Sequence, residues 1–202
     1  MTESLKEELR RRLQALPRGL QDHIQRMLQE SVALGKRFHI ERERLELAAL
    51  AHDLARAMNG QELIARARAL AIPLDPVEMA VPVLLHGPVG AEMLRRELGL
   101  EDEEILGATR SHTNGSPGMS ALAKVIFLAD KLDPAKKGMY PFIDRVRTLS
   151  AKSLDEALLA FLNEDMAQFL KKGSLVHPDM LAARNHLLME LGRLPTAGER
   201  DK

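Results

Sequence analysis

The sequence predicts an all-α, single-domain helical fold. Apolar residues recur three and four positions apart along almost the whole of the 202-residue chain, the spacing that lays an apolar stripe on one face of a helix. No segment alternates polar and apolar residues for more than a few positions, so a sheet is not expected. Proline, glycine and capping residues fall where the periodic runs stop.

Taken in order, the periodicity predicts helices at about 2–15, 20–37, 41–58, 60–70, 76–84, 87–98, 102–112, 119–132, 153–171 and 179–191. Pro17 and Gly19 separate the first two. Asn59-Gly60 is read as closing the third. Pro76 and Pro178 suit first helical turns, where the missing N–H costs nothing. Ser153 and Glu156 have the spacing of a capping box. Stretches 114–118 and 133–141 read as loops. Residues 1–192 are expected to form the domain and 193–202 a flexible tail. The methionines at 27, 58, 79, 93 and 166 read as core filler.

Composition narrows the function. With 45% hydrophobic residues the chain can bury a substantial core. Lys plus Arg total 29 and Asp plus Glu total 29, so no basic excess marks a surface for polymeric nucleic acid or an anionic membrane. A small nucleotide is compatible with this balance. Cysteine is absent, which excludes disulfides, thiolate metal sites and a cysteine nucleophile. The start, MTESLKEELRRRLQAL, lacks the apolar core of a signal peptide. No apolar run approaches the roughly 18 residues of a membrane span, so a cytoplasmic protein is expected.

The chemistry-bearing feature is a His-Asp doublet, His52-Asp53, at the end of the apolar run LAALAHD. His23, His86, His112 and Asp130 follow the same habit, polar side chains in apolar helical segments. Burying that many ionisable groups is costly unless they are paired or hold a metal. Imidazole and carboxylate donors suit a hard or borderline divalent ion. If the second and third helices form a hairpin through 38–41, His23 meets His52. Asp130, ending KVIFLAD, then reads as a carboxylate ligand. His86 and His112 are read as holding a second metal or contacting substrate phosphates. His39 and His186 are read as boundary residues, and ERERLE (41–46) as a solvated face.

These residues carry a resemblance. The order H…HD…H…H…D in an all-helical chain resembles the HD-domain metal phosphohydrolases. The words LAALAHDLAR, LLHGPVGAEML, EDEEILGATRSHTNGSPGMSALAKVIFLADKLDP and KKGSLVHPDMLAARNHLL resemble the YqeK family, symmetrical diadenosine tetraphosphate hydrolases, over about residues 20–190. The resemblance implies a divalent metal, iron with manganese as the alternative, one ion or two, held by His23, His52, Asp53 and Asp130. It implies nucleotide contacts at Arg56, Ala57, Met58, Asn59, Thr113, Lys136 or Lys137, and the run Gly173, Ser174, Leu175, Val176, His177, Pro178. It differs from the family pattern at Arg56 (a Lys there), Ser111 (a Tyr) and Asp133-Pro134 (Glu-Pro).

The activity so implied is hydrolysis of a dinucleoside polyphosphate, diadenosine tetraphosphate giving two ADP. Asp53 would ligate and orient the attacking water. His86 or His112 would stabilise the phosphoryl oxygens or protonate the leaving ADP. Arg56 and Lys136 would offset phosphate charge. A homodimer is an open assembly. The alternatives are another HD-domain phosphohydrolase, acting on mononucleotides or cyclic nucleotides, and a non-catalytic nucleotide-binding regulator.

Overall fold

The computed structural model describes residues 2–193, so the expected tail lies outside them apart from Arg193. Among the described residues every regular element is helical. The helices are α1 (Thr2–Gln14), α2 (Arg18–Arg37), α3 (Arg42–Ala51), α4 (Gly60–Ala69), α5 (Pro76–Ala80), α6 (His86–Leu98), α7 (Glu103–Ser111), α8 (Ala121–Lys131), α9 (Ile143–Ser150), α10 (Leu154–Lys172) and α11 (Pro178–Glu190), with 3-10 turns at Pro82–Leu85 and Pro134–Lys136.

Helix α8 is the axis of the molecule. Val125, Ile126, Phe127, Leu128 and Ala129 are all fully buried, and a helix apolar on every side belongs in a core. It packs against α2, α3, α7 and α10. Its last turn carries Asp130 into the space where α2, α3 and α7 bring their own polar residues. As expected, α2 and α3 form a hairpin through residues 38–41.

Several boundaries differ from expectation. The third helix stops at Ala51, and residues 52–57 form a turn that is buried through Ala55. The doublet therefore sits on that turn, not side by side within a helix. Asn59 does not close this helix; it starts the next. Its side chain accepts from the backbone N–H groups of Gln61 and Glu62, and Glu62 answers by accepting from Asn59 N. The expected helix 76–84 breaks at Val81 (φ −129°, ψ 70°), because the residue before Pro82 is driven out of the α region. His86 then opens α6. Helix α9 was not expected. Ser153 caps α10 by accepting from Glu156 N, but the Glu156 carboxylate instead takes Arg193, at 2.6 Å. Met27 and Met93 are buried and Met58 and Met166 flank the core, whereas Met79 is exposed at 40%.

Ala71 ends α4 in the left-handed region (φ 55°), closing a turn in which Ile72 N donates to Ala67 O at 2.9 Å. An L-residue is strained there by roughly 1 kcal/mol, and glycine is not. Ala71→Gly is expected to raise the melting temperature by about 2–4 °C. Thermal unfolding showing a decrease would refute this account of the turn.

Candidate metal centre

Four imidazoles reach one place from four elements, and each is aimed by a bond on its far nitrogen. His52 follows α3 and keeps helical backbone geometry, so its Nδ1–H donates to Ala49 O at 2.7 Å. His86 Nδ1–H donates to Val83 O, and His112 Nδ1–H to Thr109 O at 2.7 Å. Carbonyl oxygens only accept, so each Nδ1 carries a proton and, in the neutral ring, each Nε2 is a bare lone pair. His23, on α2, has its Nδ1 2.6 Å from Asp133 Oδ2 and likewise turns Nε2 inward. Such outer bonds are how metal-ligating histidines are held.

The carboxylates complete the arrangement. His23 Nε2 lies 2.9 Å from Asp130 Oδ1 and 3.8 Å from Asp53 Oδ2. His52 Nε2 lies 3.5 Å from Asp53 Oδ2 and 4.0 Å from Asp130 Oδ1. Donors around one ion with bonds of about 2.1 Å sit roughly 3–4 Å apart. Asp53 turns its other oxygen the opposite way, 3.1 Å from His86 Nε2 and 3.4 Å from His112 Nε2. It therefore stands between two half-sites, His23–His52–Asp130 and His86–His112. Among the described residues, the buried Nε2 atoms of His23 and His52 have no partner in hydrogen-bond geometry. His86 and His112 face each other Nε2 to Nε2 at 2.9 Å, two lone pairs that repel unless an electrophile lies with them. Thr113 Oγ1, 3.3 Å from both, has one proton to offer. The donor set fits a divalent cation.

The electrostatics agree. Burial works against the charge of Asp53, but the imidazoles of His52, His112 and His86 outweigh it and hold its pKa well below the ordinary value. Burial likewise opposes Asp130, and Lys131 and Lys136 overcome it, so this carboxyl is also held well below. Burial pushes His112 down to about 4, leaving a neutral ring able to ligate at neutral pH. For His52 burial opposes the charged form, yet Asp53 and Asp130 prevail and raise its pKa: the field at this spot favours a cation.

The remaining candidates divide. Thr113 and Lys136 join the centre, Lys136 Nζ bonding Asp130 Oδ1. Lys137 instead pairs with Asp144 at 2.9 Å. Arg56 is exposed beside the doublet. Ala57 and Met58 line a separate cavity of about 670 Å³ with Leu54, Glu62 and Arg66, and the Asn59 side chain is engaged in capping. Gly173 ends α10 in the left-handed region, Ser174 and Leu175 are exposed, and Val176 is half-buried. His177 is buried, accepts from Asp179 N to cap α11, and lies 3.7 Å from Glu78. His177 and Pro178 line a cavity of about 620 Å³ with Ser111, Asn114 and Gly115, the residues flanking His112-Thr113. His39 and His186 stay outside the cluster; His186 pairs with Glu190.

Sequence reasoning missed Arg26 and Lys131, and marked Asp133 only as a departure from the family pattern. Lys131 Nζ donates to Asp130 Oδ2 at 2.7 Å and to His112 O at 3.1 Å. A signal existed: Arg26 stands three residues after His23 and Asp133 three after Asp130, the spacing of helical neighbours.

A helical core that gathers three further imidazoles about a His-Asp doublet defines a protein of the HD class, and residues 20–135 match the HD domain. The chain belongs to that family and, within it, to the YqeK family of symmetrical tetraphosphatases. It is 37% identical over 169 residues, 82% of this chain and 88% of the relative, to a Bacillus subtilis protein named bis(5'-nucleosyl)-tetraphosphatase, symmetrical. A protein of the same name from Halalkalibacterium halodurans is 36% identical over 168 residues, 83% of this chain and 88% of that one. The crystal structure of a predicted HD superfamily hydrolase involved in NAD metabolism from Clostridium acetobutylicum superposes with a TM-score of 0.84 at 26% identity, covering 94% of this chain and 98% of the other.

Proposed function

We propose that this chain hydrolyses diadenosine tetraphosphate symmetrically, water and substrate giving two ADP. The observation that carries the reading is the two-sided cluster around Asp53, in a chain whose relatives bear the name of that activity. We assign His23, His52, Asp53 and Asp130 as ligands of a divalent metal, iron first and manganese second, with His86 and His112 facing a second ion or the phosphates. No described helix is long and apolar enough to cross a membrane, and we place the reaction in the cytoplasm.

A divalent metal held by His23, His52, Asp53 and Asp130 would supply a more acidic water and a Lewis acid for a phosphoryl oxygen. The protein's own groups supply the rest. Asp53, kept ionised, orients the water towards a phosphorus next to the central bridging oxygen. The water oxygen bonds to that phosphorus, the bond from it to the central bridging oxygen breaks, and the departing ADP oxygen takes up the proton that the water releases. His86 and His112, whose inward Nε2 atoms are electron-pair donors, would stabilise the equatorial oxygens through a second cation held in the half-site they share with Thr113. Lys136 and Arg56 meet phosphate charge as it grows. The cavity shared by His177, Pro178 and the residues flanking His112-Thr113 supports a nucleoside beside the phosphates.

The test is purified protein with diadenosine tetraphosphate and Mn(II) or Fe(II), products separated by chromatography. ADP alone is expected; ATP with AMP, or no turnover, refutes the reading. His86→Ala, His112→Ala and Arg56→Ala should each lose about 10²-fold in turnover, with Arg56→Lys recovering part, since charge returns without the planar fork. Wild-type rates in all three would place the active centre elsewhere.

A further inference from the structure

Three of the four inward-facing imidazoles are aimed by a neutral acceptor of their own turn, the carbonyls of Ala49, Val83 and Thr109. His23 differs. Its Nδ1–H meets a carboxylate from 110 residues further along the chain, Asp133 Oδ2 at 2.6 Å. Asp133 is 2% exposed, and its remaining capacity is also taken. Arg26, one turn beyond His23 on α2, grips it with two bonds, Nε to Oδ1 at 2.7 Å and Nη2 to Oδ2 at 3.0 Å. Ala135 N donates to Oδ1 at 3.0 Å. A charged acceptor behind an imidazole draws its N–H and makes the opposite nitrogen a better electron-pair donor than a carbonyl does. The bidentate guanidinium fixes the plane of the carboxylate and so the plane of the ring.

We propose that Asp133, clamped by Arg26, is a positioning residue of the metal centre: acting through His23, it makes that side chain the strongest imidazole donor of the four and locks the half-site shared with Asp130. The proposal rests on the assignment of His23 as a ligand. It gives Asp133 and Arg26 a role in metal affinity, although neither donates an atom to the centre.

The test is Mn(II) binding by the full-length, metal-stripped chain, with free Mn(II) read by electron paramagnetic resonance. Asp133→Asn preserves shape and removes the charge, and should weaken Mn(II) binding by about 10- to 100-fold. Arg26→Met, at a partly exposed site where folding is not at stake, should weaken it in the same direction by a smaller factor. A structural role would lower affinity whether or not His23 is present. A positioning role would not: His23→Ala/Asp133→Asn should bind no more weakly than His23→Ala alone, the non-additivity of groups acting as a unit. Wild-type affinity in Asp133→Asn or Arg26→Met, or a full additive loss in the double variant, overturns the proposal. Should the wild-type chain bind no Mn(II), the ligand assignment fails and the proposal with it; tight wild-type binding with an unaffected Asp133→Asn overturns the proposal alone.

Discussion

Asp53→Ala is expected to reduce bound metal to a trace and to cut hydrolysis of diadenosine tetraphosphate by at least roughly 10³-fold. Asp53 serves both halves of the centre, with one oxygen 3.5 Å from His52 and the other 3.1 Å from His86. The charge balance makes the loss severe. Asp130, the other inward-facing carboxylate, is paired with Lys131 and Lys136, so its charge is already offset. The partners of Asp53 are imidazoles alone. Removing it leaves imidazoles and a lysine-paired carboxylate, a set that attracts a divalent cation poorly. Stability gives an independent readout. An ion at 100 times its dissociation constant adds about 2.7 kcal/mol to the folded state, or roughly 5–10 °C for a chain of this size. A chelator should lower the wild-type melting temperature by about that amount and leave Asp53→Ala unchanged. Full metal content and activity in the variant would show that Asp53 is no ligand.

The candidate ligands were legible because they are ionisable residues set in apolar helical segments, an arrangement that packing alone does not explain. His52-Asp53 after LAALA and Asp130 after KVIFLA needed no knowledge of the fold. The supports were not legible in the same way. Asp133 matters through His23, and only the packing of α2 on α8 brings the two together. The end of α3 was invisible for a different reason. Apolar content continues through Ala51, Leu54 and Ala55, all buried, because the turn is core too, so hydrophobicity did not mark the break. Helix α9 offered Ile143, Val146 and Leu149 at three-residue steps. Its eight residues give the periodicity too few repeats to stand out against a neighbouring loop. Asn59-Gly60 supports either a helix end or a helix start, and Glu62 three residues on decides for the start.

Gly87→Ala is expected to cost more than any other Gly→Ala change on α6. A Cβ there would lie 2.7 Å from Arg110 O and 3.0 Å from Thr109 O. These are backbone atoms at the end of α7, unable to swing aside, so α6 and α7 must part. Thr109 O is the acceptor that aims His112, and residue 87 adjoins His86. The displacement thus falls on the two rings that meet at 2.9 Å. Overpacking of this kind costs about 1–3 kcal/mol, a drop of roughly 3–10 °C in melting temperature. Misplacement near 1 Å at a reacting centre costs on the order of 10²-fold in rate. Gly90→Ala supplies the control on the same helix. Its nearest neighbour would be Thr109 Cγ2 at 3.6 Å, an ordinary contact, and alanine favours the helix by about 1 kcal/mol over glycine at either position. Turnover and melting temperature measured for both variants should therefore diverge, Gly90→Ala remaining near wild type or slightly more stable. If Gly87→Ala turns over at the wild-type rate, the close approach of α6 to α7 is not what holds His86 against His112.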